Sequence, residues 1–123
     1  MTRFLVVALG GALGAMSRYG VVLVVATFWK RDFPIATLLI NVTGSFILGL
    51  FATFAADRSS LDPMWRLLVA TGFVGAYTTF STFEYETQRL TESGAMWWGA
   101  INVVTSVAAG YAAVQLGVLL ARR

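Results

Sequence analysis

Four long apolar blocks follow one another along the chain and are separated by short polar joints. Three blocks, of 24, 17 and 27 residues, carry no formal charge: 33–56, 67–83 and 95–121. The first block, 4–29, is interrupted only by Arg18. A helix needs roughly 20 apolar residues to cross the hydrocarbon core of a membrane, and each block has that length or nearly so. The pattern therefore predicts an all-α membrane protein, with four transmembrane helices in one domain over residues 1–123.

The polar joints carry the signals that end one helix and start the next. They are residues 30–34, 57–63 and 89–94. Tryptophans lie beside these joints, at a depth that amphipathic indoles prefer. A cleaved signal peptide is the competing interpretation of the first block, but the block continues past Arg18 to Trp29, beyond the length of a signal's apolar core. We expect a multi-pass protein of the cell (inner) membrane.

The composition excludes several classes of function. Hydrophobic residues make up 58% of the chain and charged residues 12%, too few polar groups to cover a small soluble domain. Cysteine and histidine are absent, which removes thiol chemistry, zinc sites and the commonest general base. No carboxylate lies inside an apolar block, and the two nearest the third block, Glu84 and Glu86, form no pair with a nucleophile, so we expect no enzyme activity.

The basic residues are scattered between the apolar blocks, which is typical of groups that flank membrane helices. They form no continuous basic stripe, so we expect no nucleic-acid partner despite the net charge of +3. With four crossings both termini lie on one side of the membrane. That side carries five basic residues, which are Arg3, Arg58, Arg66, Arg122 and Arg123. The other side carries three, which are Lys30, Arg31 and Arg89. This small difference fits insertion in both orientations, and equally one orientation that other features set.

Polar side chains recur at helical spacing in the second and fourth blocks. The second block has Thr37, Asn41 and Ser45 in one row, and the fourth has Asn102, Thr105 and Ser106 on a matching face. Amides and hydroxyls in hydrocarbon need hydrogen-bond partners or water. Two interpretations stay open: contacts between packed helices, or one wall of an aqueous pathway.

Arg18 is the one charge inside a predicted crossing. A guanidinium there costs about 2.5 to 3.5 kcal/mol even on the lenient insertion scale. It is interpreted as a vestibule or structural cation whose side chain reaches the interface, with a direct role in attracting anions as the alternative.

The third block contains the sequence GFVGAYTTFSTF at residues 72–83. Its glycines and clustered hydroxyls make a poor continuous helix, so we predict a break near the middle of the third helix. Unwound backbone in a membrane is tolerated where it faces a cavity, and its free carbonyls and amides can bind ions. Phe80 and Phe83 share a helix face, and their positively polarised ring edges can approach an anion. Packing or lipid contact is the other interpretation of these two rings.

Three segments together resemble the Fluc (CrcB) family of fluoride channels, and the resemblance covers essentially the whole chain. They are GGALGAMSRY at 10–19, TLLINVTGSFILG at 37–49 and, most specifically, GFVGAYTTFSTF at 72–83. The resemblance implies a fluoride-selective ion channel that exports fluoride passively and limits its toxicity. It also implies an antiparallel, dual-topology homodimer with two pores along its interface and a structural sodium ion at its centre.

The same resemblance assigns roles to individual residues. Pore or fluoride contacts are implied for Phe80, Phe83, Asn41, Ser81, Thr82 and Ser106. Backbone carbonyls of Gly75 and Thr78 from both subunits would hold the sodium ion. Arg18, Thr37 and Glu86 are expected at the vestibule or pore mouth.

The chain departs from the family pattern in three respects, one of which is the additional carboxylate of Glu84 beside the expected pore end. Ala76 stands where members usually have a glycine, and Gly110 and Val114 stand where relatives can carry hydroxyls. A small multidrug-type exporter is the runner-up, but it needs a carboxylate deep in the first crossing, where this chain has Arg18. A non-conducting membrane assembly subunit is the third hypothesis, and it gives the hydroxyl-rich third block no purpose.

Overall fold

A computed structural model describes residues 1–58 and 61–123; Ser59 and Ser60, in the second predicted joint, lie outside the described residues. The described chain is helical with short connections. A π-helix, Leu67–Val74, lies between the third and fourth α-helices. The α-helices are α1 (Thr2–Phe28), α2 (Ile35–Ala56), α3 (Pro63–Arg66), α4 (Gly75–Tyr77), α5 (Phe80–Glu92) and α6 (Met96–Ala121).

Three helices, α1, α2 and α6, are long and apolar enough to cross a membrane. They contain 27, 22 and 26 residues and correspond to the first, second and fourth apolar blocks. At 1.5 Å per residue even α2 spans about 33 Å, enough for the hydrocarbon core. The expectation of a multi-pass membrane protein is confirmed.

The chain between residues 63 and 92 is divided into shorter pieces. The side chain of Asp62 caps α3, because its Oδ1 accepts a hydrogen bond of 2.8 Å from the N–H of Met64. The π-helix and α4 follow, and α4 ends at Tyr77. Thr78 (φ −79°, ψ 158°) and Thr79 (φ −152°, ψ 113°) are extended, and α5 then begins at Phe80.

Close backbone approaches hold the bundle together. Helix α2 lies mainly against α6, and α1 lies mainly against the π-helix. Gly10 and Gly14 of α1 face the backbone of the π-helix so closely that a methyl group on either would overlap a carbonyl oxygen, that of Leu68 or Phe73. These two glycines, four residues apart in a GxxxG pattern, therefore serve helix packing.

One end of the bundle gathers the end of α1, the start of α2, the end of α5 and the start of α6. Residues from all these segments line one cavity of about 410 Å³ or an adjacent one of about 370 Å³. Successive long segments therefore run in alternating directions. This end is the one that carries Trp29 and Trp98, whose indoles suit a membrane boundary.

Candidate functional site

The extended residues Thr78 and Thr79 open onto a cavity of about 270 Å³ between α2, α5 and α6. Its lining combines an amide, hydroxyls and aromatic rings: Asn41, Gly44, Ser45, Leu48, Val74, Thr78, Thr79, Phe80, Phe83, Ser106 and Val107. None of these described lining residues is charged. We call this space the central cavity.

Asn41 holds the extended segment through both ends of its amide. Its Oδ1 accepts a hydrogen bond of 2.8 Å from the N–H of Thr79, and its Nδ2 donates one of 3.0 Å to the C=O of Thr79. The side chain therefore satisfies both polar backbone groups of a residue that has left the helix. Because an amide carries two N–H bonds, the second stays available to another acceptor.

The same arrangement removes the usual partners of two backbone carbonyls. In a continuous α-helix the C=O of Gly75 accepts from the N–H of Thr79, which here binds Asn41. The C=O of Thr78 would accept from the N–H of Thr82, which donates instead to Thr79 Oγ1 at 3.3 Å. Gly75 is an exposed residue and Thr78 is half-buried.

The start of α5 adds a favourable electrostatic field for anions. Thr79 caps the helix, and Thr79 and Phe80, at its N-terminus, both line the central cavity. The N-terminus of a helix carries a partial positive charge on its free N–H groups. A small anion in the cavity would therefore be attracted without any charged side chain.

Phe80 and Phe83 lie together on α5 but differ in exposure. Their ring centroids are 5.7 Å apart and the rings are tilted by 40°. Phe83 is 8% exposed, whereas Phe80 is 70% exposed. Phe83 is therefore fixed within the chain, and Phe80 presents most of its ring to whatever lies outside it.

The turn before the extended residues is anchored to α2. Tyr77 is buried, and its hydroxyl lies 2.9 Å from Thr43 Oγ1 in a hydrogen bond. Thr78 is so close to Gly44 that a methyl group on Gly44 would overlap Thr78 Cγ2. Glycine at this position lets the extended segment reach α2, where Asn41 binds it.

A buried amide on α6 connects the far wall of the cavity to α5. Asn102 is 1% exposed; its Nδ2 donates to Thr87 Oγ1 at 2.8 Å, and its Oδ1 accepts from Ser106 Oγ at 3.4 Å. Thr87 Oγ1 in turn donates to the C=O of Phe83 at 2.8 Å. Ser106 and Phe83 both line the central cavity, so one chain of hydrogen bonds joins them.

Ser81 and Thr82 lie outside the cavity lining. Both are exposed, and Thr82 Oγ1 accepts a hydrogen bond of 2.8 Å from Thr79 Oγ1. Within the single chain, Thr82 therefore serves the cap of α5. The roles implied for Ser81 and Thr82 in contacting fluoride stay predictions.

The residues expected at the pore mouth lie apart from the central cavity. Glu86 lines the cavity of about 410 Å³ together with Arg31, Asp32 and Arg89. One oxygen of Glu86 is buried without a hydrogen-bond partner among the described residues. Thr37 is buried on α2, and Arg18 is half-buried on α1. The roles of these residues also stay predictions.

Three contacts of the site had no clear signal in the sequence. The two hydrogen bonds between the Asn41 side chain and the backbone of Thr79 join residues 38 positions apart. The pairs Thr43–Tyr77 and Thr87–Asn102 likewise join different helices. The polar rows on the second and fourth blocks indicated that these faces need partners, but spacing along one helix does not identify the partner on another.

Comparison with known proteins identifies relatives over the length of the chain. The model of a family described as "CrcB-like protein, Camphor Resistance (CrcB)" matches residues 5–118. A protein of Solibacter usitatus named "Fluoride-specific ion channel FluC" is 45% identical over 121 residues, 98% of this chain and 99% of the relative. The protein of the same name from Acidobacterium capsulatum is 47% identical over 121 residues, 98% of this chain and 97% of the relative. "Fluoride-specific ion channel FluC 1" of Listeria innocua is 51% identical over 90 residues, 73% of this chain and 72% of the relative.

Proposed function

The chain belongs to the CrcB family, and on that premise we propose that it is a fluoride-selective ion channel that exports fluoride passively across the cell membrane. One observation carries the proposal most directly. The central cavity gathers the amide of Asn41, the rings of Phe80 and Phe83 and the hydroxyl of Ser106. The names of the relatives support a channel, and they support the expectation that the chain is not an enzyme.

The chemistry of this lining suits a small, strongly hydrated anion. Fluoride must lose water to enter a narrow pathway, and hydrogen-bond donors must replace that water. The free N–H of Asn41, the Ser106 hydroxyl and the positive ring edges of the two phenylalanines supply such contacts. Because none is a full positive charge, binding stays weak enough for the ion to leave. Passive export of this kind limits fluoride toxicity.

We place the pathway at the interface of an antiparallel, dual-topology homodimer. Phe80 is 70% exposed in the single chain, and a second copy of the chain would enclose it in this arrangement. The small difference in basic residues between the two sides is compatible with both orientations. A two-fold axis would make such an interface self-complementary and give two equivalent pathways. In this arrangement residues 63–92 form a third membrane crossing that is broken at Thr78 and Thr79.

A structural sodium ion fits the broken segment. The carbonyls of Gly75 and Thr78 have lost their helical partners, and unwound backbone carbonyls are suitable ligands for Na⁺. Two copies of each carbonyl, one pair per subunit, would surround the ion. When bound, the ion would be coordinated by these carbonyl oxygens and would join the two subunits.

Fluoride efflux from proteoliposomes tests the proposed function. Vesicles that contain the purified protein are loaded with potassium fluoride and diluted into fluoride-free buffer. Valinomycin carries potassium out to balance the charge, and the release of fluoride is followed with a fluoride-selective electrode. Rapid release is expected, with none from empty vesicles and none of chloride from chloride-loaded ones. Chloride release at a similar rate would refute the selectivity. Release no faster than from empty vesicles would favour a non-conducting assembly subunit. Transport that requires a proton gradient would favour the small multidrug-type exporter.

Cysteine labelling in cells tests the topology. The natural chain has no cysteine, so single cysteines can be introduced at Ser93, between α5 and α6, and at Arg122, after α6. A membrane-impermeant maleimide is expected to label about half of the chains at each position if both orientations are inserted. Complete labelling at one position and none at the other would establish a single orientation and contradict the dual topology.

Replacement of sodium tests the structural ion. A ligand that binds only the folded dimer raises its stability according to the ligand concentration. Exchange of Na⁺ for N-methyl-D-glucamine is therefore expected to lower the thermal unfolding temperature of the purified dimer, and re-addition of Na⁺ is expected to restore it. An unfolding temperature independent of sodium over the millimolar range would contradict the proposal.

A further inference from the structure

We propose that Asn102 is a positioning residue for fluoride conduction, which it controls through Thr87 and Ser106 without lining the central cavity itself. This inference rests on the proposed function. It assigns a role to a fully buried amide on the face of α6 that packs against α5.

The first step concerns the direction of the hydrogen bonds. The hydroxyl of Ser106 donates to Asn102 Oδ1, Asn102 Nδ2 donates to Thr87 Oγ1, and Thr87 Oγ1 donates to the C=O of Phe83. Every link points the same way, from the cavity wall on α6 to the cavity wall on α5. The hydrogen bonds in such a chain polarise one another, and a polar group left without a partner in a dry interior is unfavourable.

The second step concerns the separation of the two walls. Asn102 reaches Thr87 because α5 and α6 approach closely at Gly99, where an added methyl group would lie 3.0 Å from Thr91 Oγ1 and 3.5 Å from the C=O of Thr87. The bond of 2.8 Å between Asn102 and Thr87 then fixes the register of α5 against α6. Phe83 lies one helical turn from Thr87, so its position depends on the same bond.

The third step concerns the freedom of the Ser106 hydroxyl. Its bond to Asn102 Oδ1 is long, 3.4 Å, and therefore weak. The hydroxyl can leave this acceptor and donate to an anion in the cavity at little cost. Without Asn102 Oδ1, a serine in a helix turns to a backbone carbonyl of the preceding turn, as Thr105 does here with the C=O of Ile101 at 2.6 Å. That stronger bond would compete with fluoride for the same proton.

Two substitutions test this role. Asn102→Leu removes both bonds, and Thr87→Val removes the link to α5 while leaving Asn102 in place. For Asn102→Leu, the fluoride concentration that gives half-maximal flux through reconstituted protein is expected to rise about tenfold, which corresponds to the loss of about one hydrogen bond to the conducted fluoride. For Thr87→Val it is expected to rise severalfold. The double variant should be no worse than Asn102→Leu alone, because both changes break one chain.

Conservative and matched variants separate positioning from folding. Thr87→Ser keeps the hydroxyl and should have the same half-maximal concentration as the natural protein. Thr91→Val, also on α5, removes a hydroxyl that bonds only within its own helix and should leave this concentration unchanged. A purely structural role would lower the amount of active dimer, and hence the maximal flux, without moving the half-maximal concentration.

The outcomes distinguish this inference from the proposed function. An unchanged half-maximal concentration in both Asn102→Leu and Thr87→Val, with the natural protein conducting fluoride, overturns the inference alone. If Asn102→Leu does not fold, an unchanged half-maximal concentration in Thr87→Val overturns the inference, and a raised one supports it. Absence of fluoride flux through the natural protein refutes the proposed function, and with it the positioning role.

Discussion

Two asparagines hold the central cavity, and they do so in different ways. Asn41 on α2 binds the backbone of one extended residue through both ends of its amide. Asn102 on α6 binds only side chains, one on α5 and one on its own helix. Asn41 is half-buried and lines the cavity, whereas Asn102 is fully buried behind it.

The difference shows what each region requires. Where the helix is interrupted, the orphan groups belong to the backbone, and a side-chain amide resembles the peptide group that is missing. Where two intact helices meet, backbone groups are already paired, and the amide can act only through hydroxyls. Loss of Asn41 should therefore disturb the pathway itself, and loss of Asn102 should disturb its alignment.

The largest effect is expected for Asn41→Asp, which puts a negative charge on the cavity wall. A unit charge about 4 Å from an anion opposes it by about 4 kcal/mol at an effective dielectric constant of about 20, or about a thousandfold. The rate of fluoride efflux from proteoliposomes measures this change. Asn41→Leu, which removes the amide without adding charge, should lower the rate of fluoride efflux by less. Equal losses in the two variants would remove the electrostatic part of the argument.

The support under the extended segment is tested by Gly44→Ala. The added methyl group overlaps Thr78 Cγ2, and overpacking of this kind destabilises by about 2 kcal/mol. The thermal unfolding temperature in detergent should fall, and fluoride efflux with it. Gly20→Ala is the matched control, because nothing lies within 4 Å of the added methyl group. A Gly44→Ala protein as stable as the control would show that the segment does not need this close approach.

The two phenylalanines provide a contrast of exposure at the same site. Phe80→Ile and Phe83→Ile each remove aromatic edges from the cavity and should lower fluoride efflux by about tenfold, equivalent to about 1.4 kcal/mol. Phe83 is already buried within one chain, whereas Phe80 is not, so Phe83→Ile should lower the unfolding temperature more than Phe80→Ile does. If Phe80→Ile leaves efflux unchanged, the exposed ring does not contact the conducted ion.

Much of this architecture could be predicted from the apolar blocks, because the length needed to cross a bilayer is imposed on the sequence. The blocks at 33–56 and 95–121 differ from α2 and α6 by one or two residues at their N-terminal ends. The π-helix at 67–74 was not predicted, since the packing of α1 against it involves residues far apart in sequence. The helix α5 extends to Glu92 and so includes both charged residues, Arg89 and Glu92, that were assigned to a joint.

The candidate site was predictable in its residue types and less so in its contacts. The hydroxyls of 72–83 indicated a weak helix, and α4 ends within this segment at Tyr77. The partner of the extended Thr79 was not predictable: Asn41 was interpreted either as a contact between packed helices or as a pore residue, and neither interpretation identifies the backbone of Thr79 as what it binds. Periodicity reports which face of a helix a residue occupies, and tertiary packing decides what that face meets.

The smallest effect is expected for Thr79→Val, which separates the cap of α5 from the bond between Asn41 and the backbone. Thr79 Oγ1 accepts from the N–H of Thr82 and donates to Thr82 Oγ1, and loss of such a cap costs about 1 kcal/mol. Thr82→Val is the matched control, since it removes only the second of these bonds and should be closer to the natural protein in unfolding temperature. In both variants the backbone N–H and C=O of Thr79 still bind Asn41, so discrimination between fluoride and chloride should persist. A loss of selectivity in Thr79→Val alone would mean that the hydroxyl, and not the bond to Asn41, determines the shape of the break.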